Sequence, residues 1–534
     1  MTTLTPDTPV APVPWQSPLD RFAAGRFGRW TIERVPLFAV LFLQICLSYR
    51  LHNSAFQDEA LYLFAGHREI GWLLHHTPIY DNYSTYFSGA PFLYPVAGAA
   101  VDGVFGLEGA RALSLLCLLG ATTLVWATTK LLYGQHAAAC GAALFAVAAP
   151  ILFLSRLATY DAPALFLLAL AFWLVVRTAR HSIWWVLTAV PVTALAVGTK
   201  YASLLFVPTI AAVAVLSCRF GSTAQDPSGR TRPRSWLNTV SRGLLFALSL
   251  AALLAGWLYL LGPGFREGIA VTTTQRPAGG DALTLIAERS AEYGAGVFAL
   301  ACVGIAVDVA RARALPSTRS TLIERGLLSA TLAATALLAP LYQMHLHTLT
   351  SLLKHVGFGL VFASPIAGVA LASLLRAGAR DPRRLGVALL ACLGLTAAAL
   401  DQSSSAFDQW PNSAAMVAAV RTQIRPVTGR YLAEEDEVPR YYTADLTQPY
   451  QWYGTYFFQY TDHAGHQLTG VPAYRQAIAD EYFDLIILRY GPTASLDLQI
   501  DSQLKSQHGY TLIAVIPADD SYGLGDYYVW RADR

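Results

Sequence analysis

Residues 112–132 read ALSLLCLLGATTLVWATTKLL, with a single charge, Lys130, near the end. A helix needs about 20 residues to cross the hydrocarbon core of a bilayer, and this run is long enough. Runs of the same character recur at 35–49, 137–154, 162–176, 183–198, 202–216, 244–261, 291–310, 326–342, 356–375 and 385–400. Several are short and must draw on flanking residues to span. The composition agrees: of 534 residues, 54% are hydrophobic and 14% charged, with mean hydropathy +0.40. Soluble domains carry about 25% charged residues, so a water-soluble multidomain enzyme is excluded. Disordered and fibrous classes are excluded too, since the apolar content is high and no short repeat is visible. The fold class expected is mainly α: a polytopic membrane helical bundle of about eleven spans, with a small C-terminal α/β domain.

The positive-inside rule fixes the expected topology. With the N-terminus in the cytoplasm, eleven spans put twenty Lys/Arg of the membrane body inside and nine outside. Residues 1–34, rich in Pro and Thr, are expected to be a disordered cytoplasmic leader with no cleavable signal. Residues 35–401 form the membrane body, with interfacial amphipathic helices within 50–111. Residues 402–534 form the α/β domain on the extracytoplasmic side. In that tail, 483–488, 510–516 and 527–530 read as strands, and 412–424 and 473–480 as helices. The body is net basic and the tail net acidic, which argues against nucleic acid as a partner. Cys46, Cys117, Cys140, Cys218, Cys302 and Cys392 fall in different apolar blocks without metal spacing.

Charged residues at the outer ends of spans stand out. Asp58 and Glu59 adjoin each other in FQDEALY, just beyond the first span. SRLATYDAP brings Arg156 and Asp161 to the start of the fourth span, where Asp161 could also serve as a helix cap. GTKY places Lys200 in a short turn between two spans, where it could equally snorkel to the headgroups. Lys354 and His355 open the tenth span, after His345 and His347. These histidines could bind phosphate or a metal, although the spacing is not that of a metal site. Tyr62, Tyr160 and Tyr201, within these motifs, are candidate substrate contacts. Neither a P-loop nor a dinucleotide fingerprint is present.

Taken in order, Asp58-Glu59, Arg156 with Tyr160-Asp161-Ala162-Pro163, and Gly198-Thr199-Lys200-Tyr201 resemble the GT-C membrane glycosyltransferases. The likeness is to the dolichyl-phosphate-mannose protein mannosyltransferases and their bacterial relatives, the aminoarabinose transferases included. It covers roughly residues 35–400. It implies an inverting transfer of a sugar from a polyprenyl-phosphate donor to an extracytoplasmic protein, lipid or polysaccharide acceptor, at the plasma (inner) membrane. Carried over, Asp58 would be the base, Glu59 a support or metal contact, and Asp161 the second acid. Arg156 and Lys200, with Lys354 and His355, would take the donor phosphate. No cofactor is required by this reading, although a divalent metal ion is an option. The alternative is a multi-pass lipid or solute transporter or flippase. Intramembrane charges would then mark its path, whereas here they gather at outer span ends. A non-catalytic scaffold would leave those charges unexplained.

Overall fold

The computed structural model describes residues 26–220, 236–314, 319–378, 381–518 and 525–534. The expected leader at 1–25 lies outside them. Residues 26–34, grouped with that leader from sequence, are instead the first turns of helix α1 (Arg26–Ser48).

Among the described residues, seven helical segments are long and apolar enough to cross a membrane: Tyr94–Tyr133, Tyr201–Arg219, Trp236–Leu260, Leu283–Arg313, Arg319–His345, Leu352–Gly378 and Pro382–Phe407. The remaining expected spans coincide with α1, with the pair Gln135–Ala146 and Ala149–Leu154, with Asp161–Arg177, and with Ile183–Thr199. Several of these passes are broken where the sequence reading expected one continuous helix. The third pauses at Val147–Ala148, and others begin as 3-10 turns at Ile183–Thr188 and Tyr201–Phe206. Pro150, Pro191, Pro208 and Pro340 each lie in the first turn of the α segment that follows such a break. Proline lacks the N–H that an uninterrupted helix would use, so the first turn accommodates it without losing a hydrogen bond; Pro36 and Pro365 instead lie inside helices.

The hub is the helix Leu352–Gly378, buried along most of its length. It packs on Leu283–Arg313 and Gln135–Ala146 through small residues. A methyl group on Gly368 would lie 2.4 Å from the Ala137 carbonyl oxygen, and one on Gly304 would lie 2.1 Å from that of Ile366. Between membrane helices, close backbone approach of this kind replaces the hydrophobic drive available in water. By contrast, Trp236–Leu260 and Pro382–Phe407 turn leucines outward, with Leu248 68% and Leu390 72% exposed. Apolar side chains bare to this extent along a spanning helix form a lipid face. The chain is therefore a multi-pass membrane protein.

The first long loop is helical, as expected: Gln57–His75, then the leading part of Tyr94–Tyr133, which kinks at Gly106 with φ 67°. The tail is an α/β domain. Its five-stranded sheet has the order β2-β1-β5-β7-β6, where β1 is Tyr431–Ala433, β2 Trp452–Gly454, β5 Leu485–Leu488, β6 Tyr510–Pro517 and β7 Asp526–Ala532. β1 runs parallel to β2 and β5, while β7 is antiparallel to both β5 and β6. β5, with sequence LIIL, is buried on both faces, as a central strand requires. The three strands and two helices read from sequence are present. The short β1 and β2 and a hairpin, β3 Gln459–Thr461 with β4 Gln467–Thr469, carry too few residues to show a period.

The tail docks on the first loop. Tyr441 donates to Asp102 (2.8 Å), Gln57 to Glu437 (3.0 Å) and the Ala55 N–H to the Tyr442 hydroxyl (2.8 Å), while Arg440 pairs with Asp81. First loop and tail therefore share one side of the bundle, which requires an odd number of passes between N-terminus and tail.

Candidate active site

The charges expected outside converge at that same end. Lys354 Nζ pairs with Asp58 Oδ2, and Lys200 Nζ with Asp161 Oδ1. Tyr62 donates its hydroxyl proton to Tyr160 (2.7 Å, ring centroids 4.4 Å apart), tying the Asp58 helix to the Asp161 turn. The Lys200 ammonium lies 5.0 Å from the centre of the Tyr160 ring, a cation–π contact. The opposite end holds Asp308–Arg325, Glu324–Arg219 and Glu33–Lys130, whose basic members were all expected inside.

Asp58 and Glu59 are neighbours in sequence with opposite fates. Asp58 keeps 31% of its side chain exposed, whereas Glu59 is fully buried. Glu59 accepts a bidentate contact from Arg111 (2.9 and 2.7 Å) and the backbone N–H groups of Phe56 (2.9 Å) and Ala158 (2.7 Å). The carboxylate is thus saturated, and the expected metal-contact role does not fit it. Asp161 is the first residue of its helix and does not cap it. Its carboxylate takes Lys200 and the Thr159 hydroxyl (3.0 Å). With Asp58 and Asp161 each bound by a lysine, and no cluster of three or more His, Cys, Asp or Glu suited to an ion among the described residues, the donor set present does not fit a divalent metal.

A cavity of about 1060 Å³ opens beside these pairs. Its polar lining includes Lys200, Tyr160, Tyr201, His355, His345 and Arg276. Its apolar lining includes Leu254, Trp257, Leu261, Phe265 and Ile269. The segment 88–90 closes one wall, where Ala90 N–H donates to the Gly198 carbonyl and Tyr201 N–H to that of Ser88, both at 2.8 Å. The Tyr201 hydroxyl is buried without a hydrogen-bond partner. Gln343 orders His355: its amide nitrogen reaches the Thr350 carbonyl (3.1 Å) and His355 Nδ1 (2.7 Å). A carbonyl can only accept, so nitrogen must face it. Nδ1 is then the acceptor and Nε2 bears the ring proton.

Sequence expectation and structure part company at several residues. Arg156 does not line the cavity. It is buried against Glu108, and its guanidinium sits 4.3 Å from the centre of the Tyr49 ring. Lys354 is engaged by Asp58 instead of lining the cavity, and Tyr62 supports Tyr160 from behind. His345 and His347 diverge: the first faces the cavity, while the second adopts φ 49° and turns toward the Asp281 carbonyl (3.4 Å). Arg276 and Gln343 were given no role from sequence. A lone Arg in the threonine run of an outer loop was the available sign for Arg276. Gln343, at the end of an apolar block, offered none.

Residues 96–226 match the family profile of dolichyl-phosphate-mannose-protein mannosyltransferase. No curated protein sequence matches the chain significantly. Among solved structures, ArnT from Cupriavidus metallidurans bound to undecaprenyl phosphate aligns with TM-score 0.58 and 14% identity, covering 95% of this chain and 99% of that one. The archaeal oligosaccharyltransferase AglB from Archaeoglobus fulgidus, in complex with an inhibitory peptide and a dolichol-phosphate, aligns with TM-score 0.53 and 12% identity, covering 90% and 74%. At such identities the likeness is one of fold, and the fold is the GT-C fold that the sequence motifs resemble.

Proposed function

We propose that this chain, built on the GT-C fold, is a membrane glycosyltransferase that moves a sugar from a polyprenyl-phosphate donor to an extracytoplasmic acceptor with inversion. The observation that carries the reading is the cavity. One long wall is apolar enough for an isoprenoid chain, and Lys200, His355 Nε2–H and Arg276 supply positive charge and hydrogen-bond donors for one phosphate. Of two lysine-held carboxylates, Asp161 is bonded to Lys200 of that lining, and Asp58 to Lys354, the residue before the lining His355.

In the proposed step the acceptor hydroxyl attacks the anomeric carbon while the bond from that carbon to the phosphate oxygen breaks. The hydroxyl proton passes to Asp58, and polyprenyl phosphate departs with the bonding electron pair. Lys354 holds Asp58 through Oδ2, leaving Oδ1 for the acceptor. General-base assistance of this kind is worth about 10²–10⁴ in rate. The cations at the cavity end stabilise the charge that builds on the phosphate. Asp161 keeps Lys200 in place. A single attack with a single base inverts the centre. The shared side of first loop and tail sets the tail opposite the N-terminus, and the twenty-to-nine Lys/Arg bias supports a cytoplasmic N-terminus and an extracytoplasmic tail.

The test is mass analysis of lipid-linked sugars and glycans in cells lacking the gene, complemented with wild type or Asp58→Asn. The reading expects a glycan to lose one sugar and its lipid-linked donor to accumulate, with rescue by wild type only. Rescue by Asp58→Asn overturns the base assignment. Substrate counterflow with no missing covalent product overturns the enzyme reading.

A further inference from the structure

Arg276 reaches the cavity from a segment without regular structure, between helix Gly262–Thr272 and helix Leu283–Arg313. Such a segment holds a side chain in place only if both of its ends are fixed. The near end is tied to its helix: Gln275 N–H donates to the Ala270 carbonyl (2.7 Å), and the Thr273 hydroxyl to that of Ile269 (2.5 Å). The far end is tied across to the turn after His345. Gly279 N–H donates to the Leu346 carbonyl (2.8 Å) and Asp281 N–H to the His347 carbonyl (3.0 Å). The Asp281 carboxylate accepts from Leu349 N–H (2.7 Å).

That turn is itself constrained. His347 and Ser351 have φ 49° and 63°, unusual for residues with a side chain. A methyl group on Gly279 would lie 2.3 Å from the His347 carbonyl oxygen, so the seam tolerates no side chain there. Backbone strain at a surface turn persists only where the surroundings hold it. Here Asp281 is the one side chain of the segment that bonds to the turn. It lies five positions beyond Arg276, on the stretch that crosses the cavity.

We infer that Asp281 is a positioning residue: it latches the 273–281 strap to the 346–349 turn and so seats Arg276 at the donor phosphate. The inference rests on the donor-phosphate reading above. The latch uses one acceptor oxygen, so Asn in place of Asp281 preserves it and Ala removes it.

The experiment measures binding of a polyprenyl phosphate to the full-length protein in detergent micelles. Asp281→Ala should weaken binding about tenfold, the effect of losing one well-placed charge-assisted contact. Asp281→Asn should restore it. In the Arg276→Ala background, Asp281→Ala should add almost nothing, because the latch acts through that arginine. Gly279→Ala, which breaks the same seam without touching a charge, should behave like Asp281→Ala. If the Asp281 and Arg276 effects multiply, or if Asp281→Asn fails to rescue, the latch is overturned while the phosphate site stands. If Arg276→Ala, His355→Ala and the paired Lys200→Gln with Asp161→Asn all leave phosphate binding unchanged, it is the donor reading that fails.

Discussion

Lys354 forms an ion pair with Asp58 across 296 positions of sequence, joining the start of the hub helix to the start of helix Gln57–His75. Of Asp58, Glu59 and Asp161, Asp58 is the carboxylate that remains partly open to solvent, and the pair orients it. Replacing Asp58 with Asn keeps the shape and removes the proposed proton acceptor. Sugar transfer should fall by about 10³ or more, within the range ascribed to general-base catalysis. Polyprenyl-phosphate binding should stay close to wild type. Turnover in proteoliposomes, set against lipid binding in the same preparation, separates the two; a joint loss would mean that Asp58 holds the donor instead.

Glu59 should fail differently. Its carboxylate is buried with Arg111 and two backbone N–H groups. Removing one member of a buried pair leaves an uncompensated charge and costs about 3–5 kcal/mol. Glu59→Gln should therefore lower the midpoint of thermal unfolding and reduce the yield of folded protein. Asp58→Asn should leave both near wild type. A Glu59→Gln protein that unfolds like wild type yet lacks activity would move Glu59 from support into the chemistry.

The contrast between these neighbours shows where sequence ran out. An acidic pair after a spanning run reveals that the outer end is charged. It does not reveal which carboxylate turns inward, because that depends on Arg111 and Ala158, 52 and 99 positions away. The same holds for Arg156, whose partner Glu108 stands on another helix. Spans were legible because lipid imposes a composition on every residue that faces it. Their breaks at Pro150, Pro191, Pro208 and Pro340 were legible only as prolines. Arg276 showed in sequence only as a lone Arg in a threonine run, since its position depends on contacts between a loop and a distant turn.

Lys200 should govern recognition of the phosphate. Lys200→Gln alone strands Asp161 in a buried setting, so the informative variant is Asp161→Asn with Lys200→Gln, which removes both charges together. Wild type should bind a polyprenyl phosphate far more tightly than the corresponding polyprenol. In the double variant that preference should shrink by about tenfold or more, while affinity for the polyprenol holds. An undiminished preference would assign phosphate recognition to Arg276 and His355 alone.

The tail carries its own pH dependence. Asp497 is buried beneath β5, and loss of water, then the charge of Glu434, pushes its carboxyl up to about 7; the N–H groups of Tyr490 and Arg489 oppose this only in part. A folded-state value above the unfolded 3.8 means that the folded tail binds the extra proton. The resulting stability is fully present below the unfolded value and is lost as pH rises through about 7. Amide-exchange protection in Leu485–Leu488 and Ala494–Ser506, corrected for intrinsic rates, should fall between about pH 5 and about pH 8 in the intact protein. Asp497→Asn, which is permanently neutral, should flatten that fall while leaving protection in the membrane helices unchanged. A slope of equal size in the variant would place the titrating proton elsewhere in the tail.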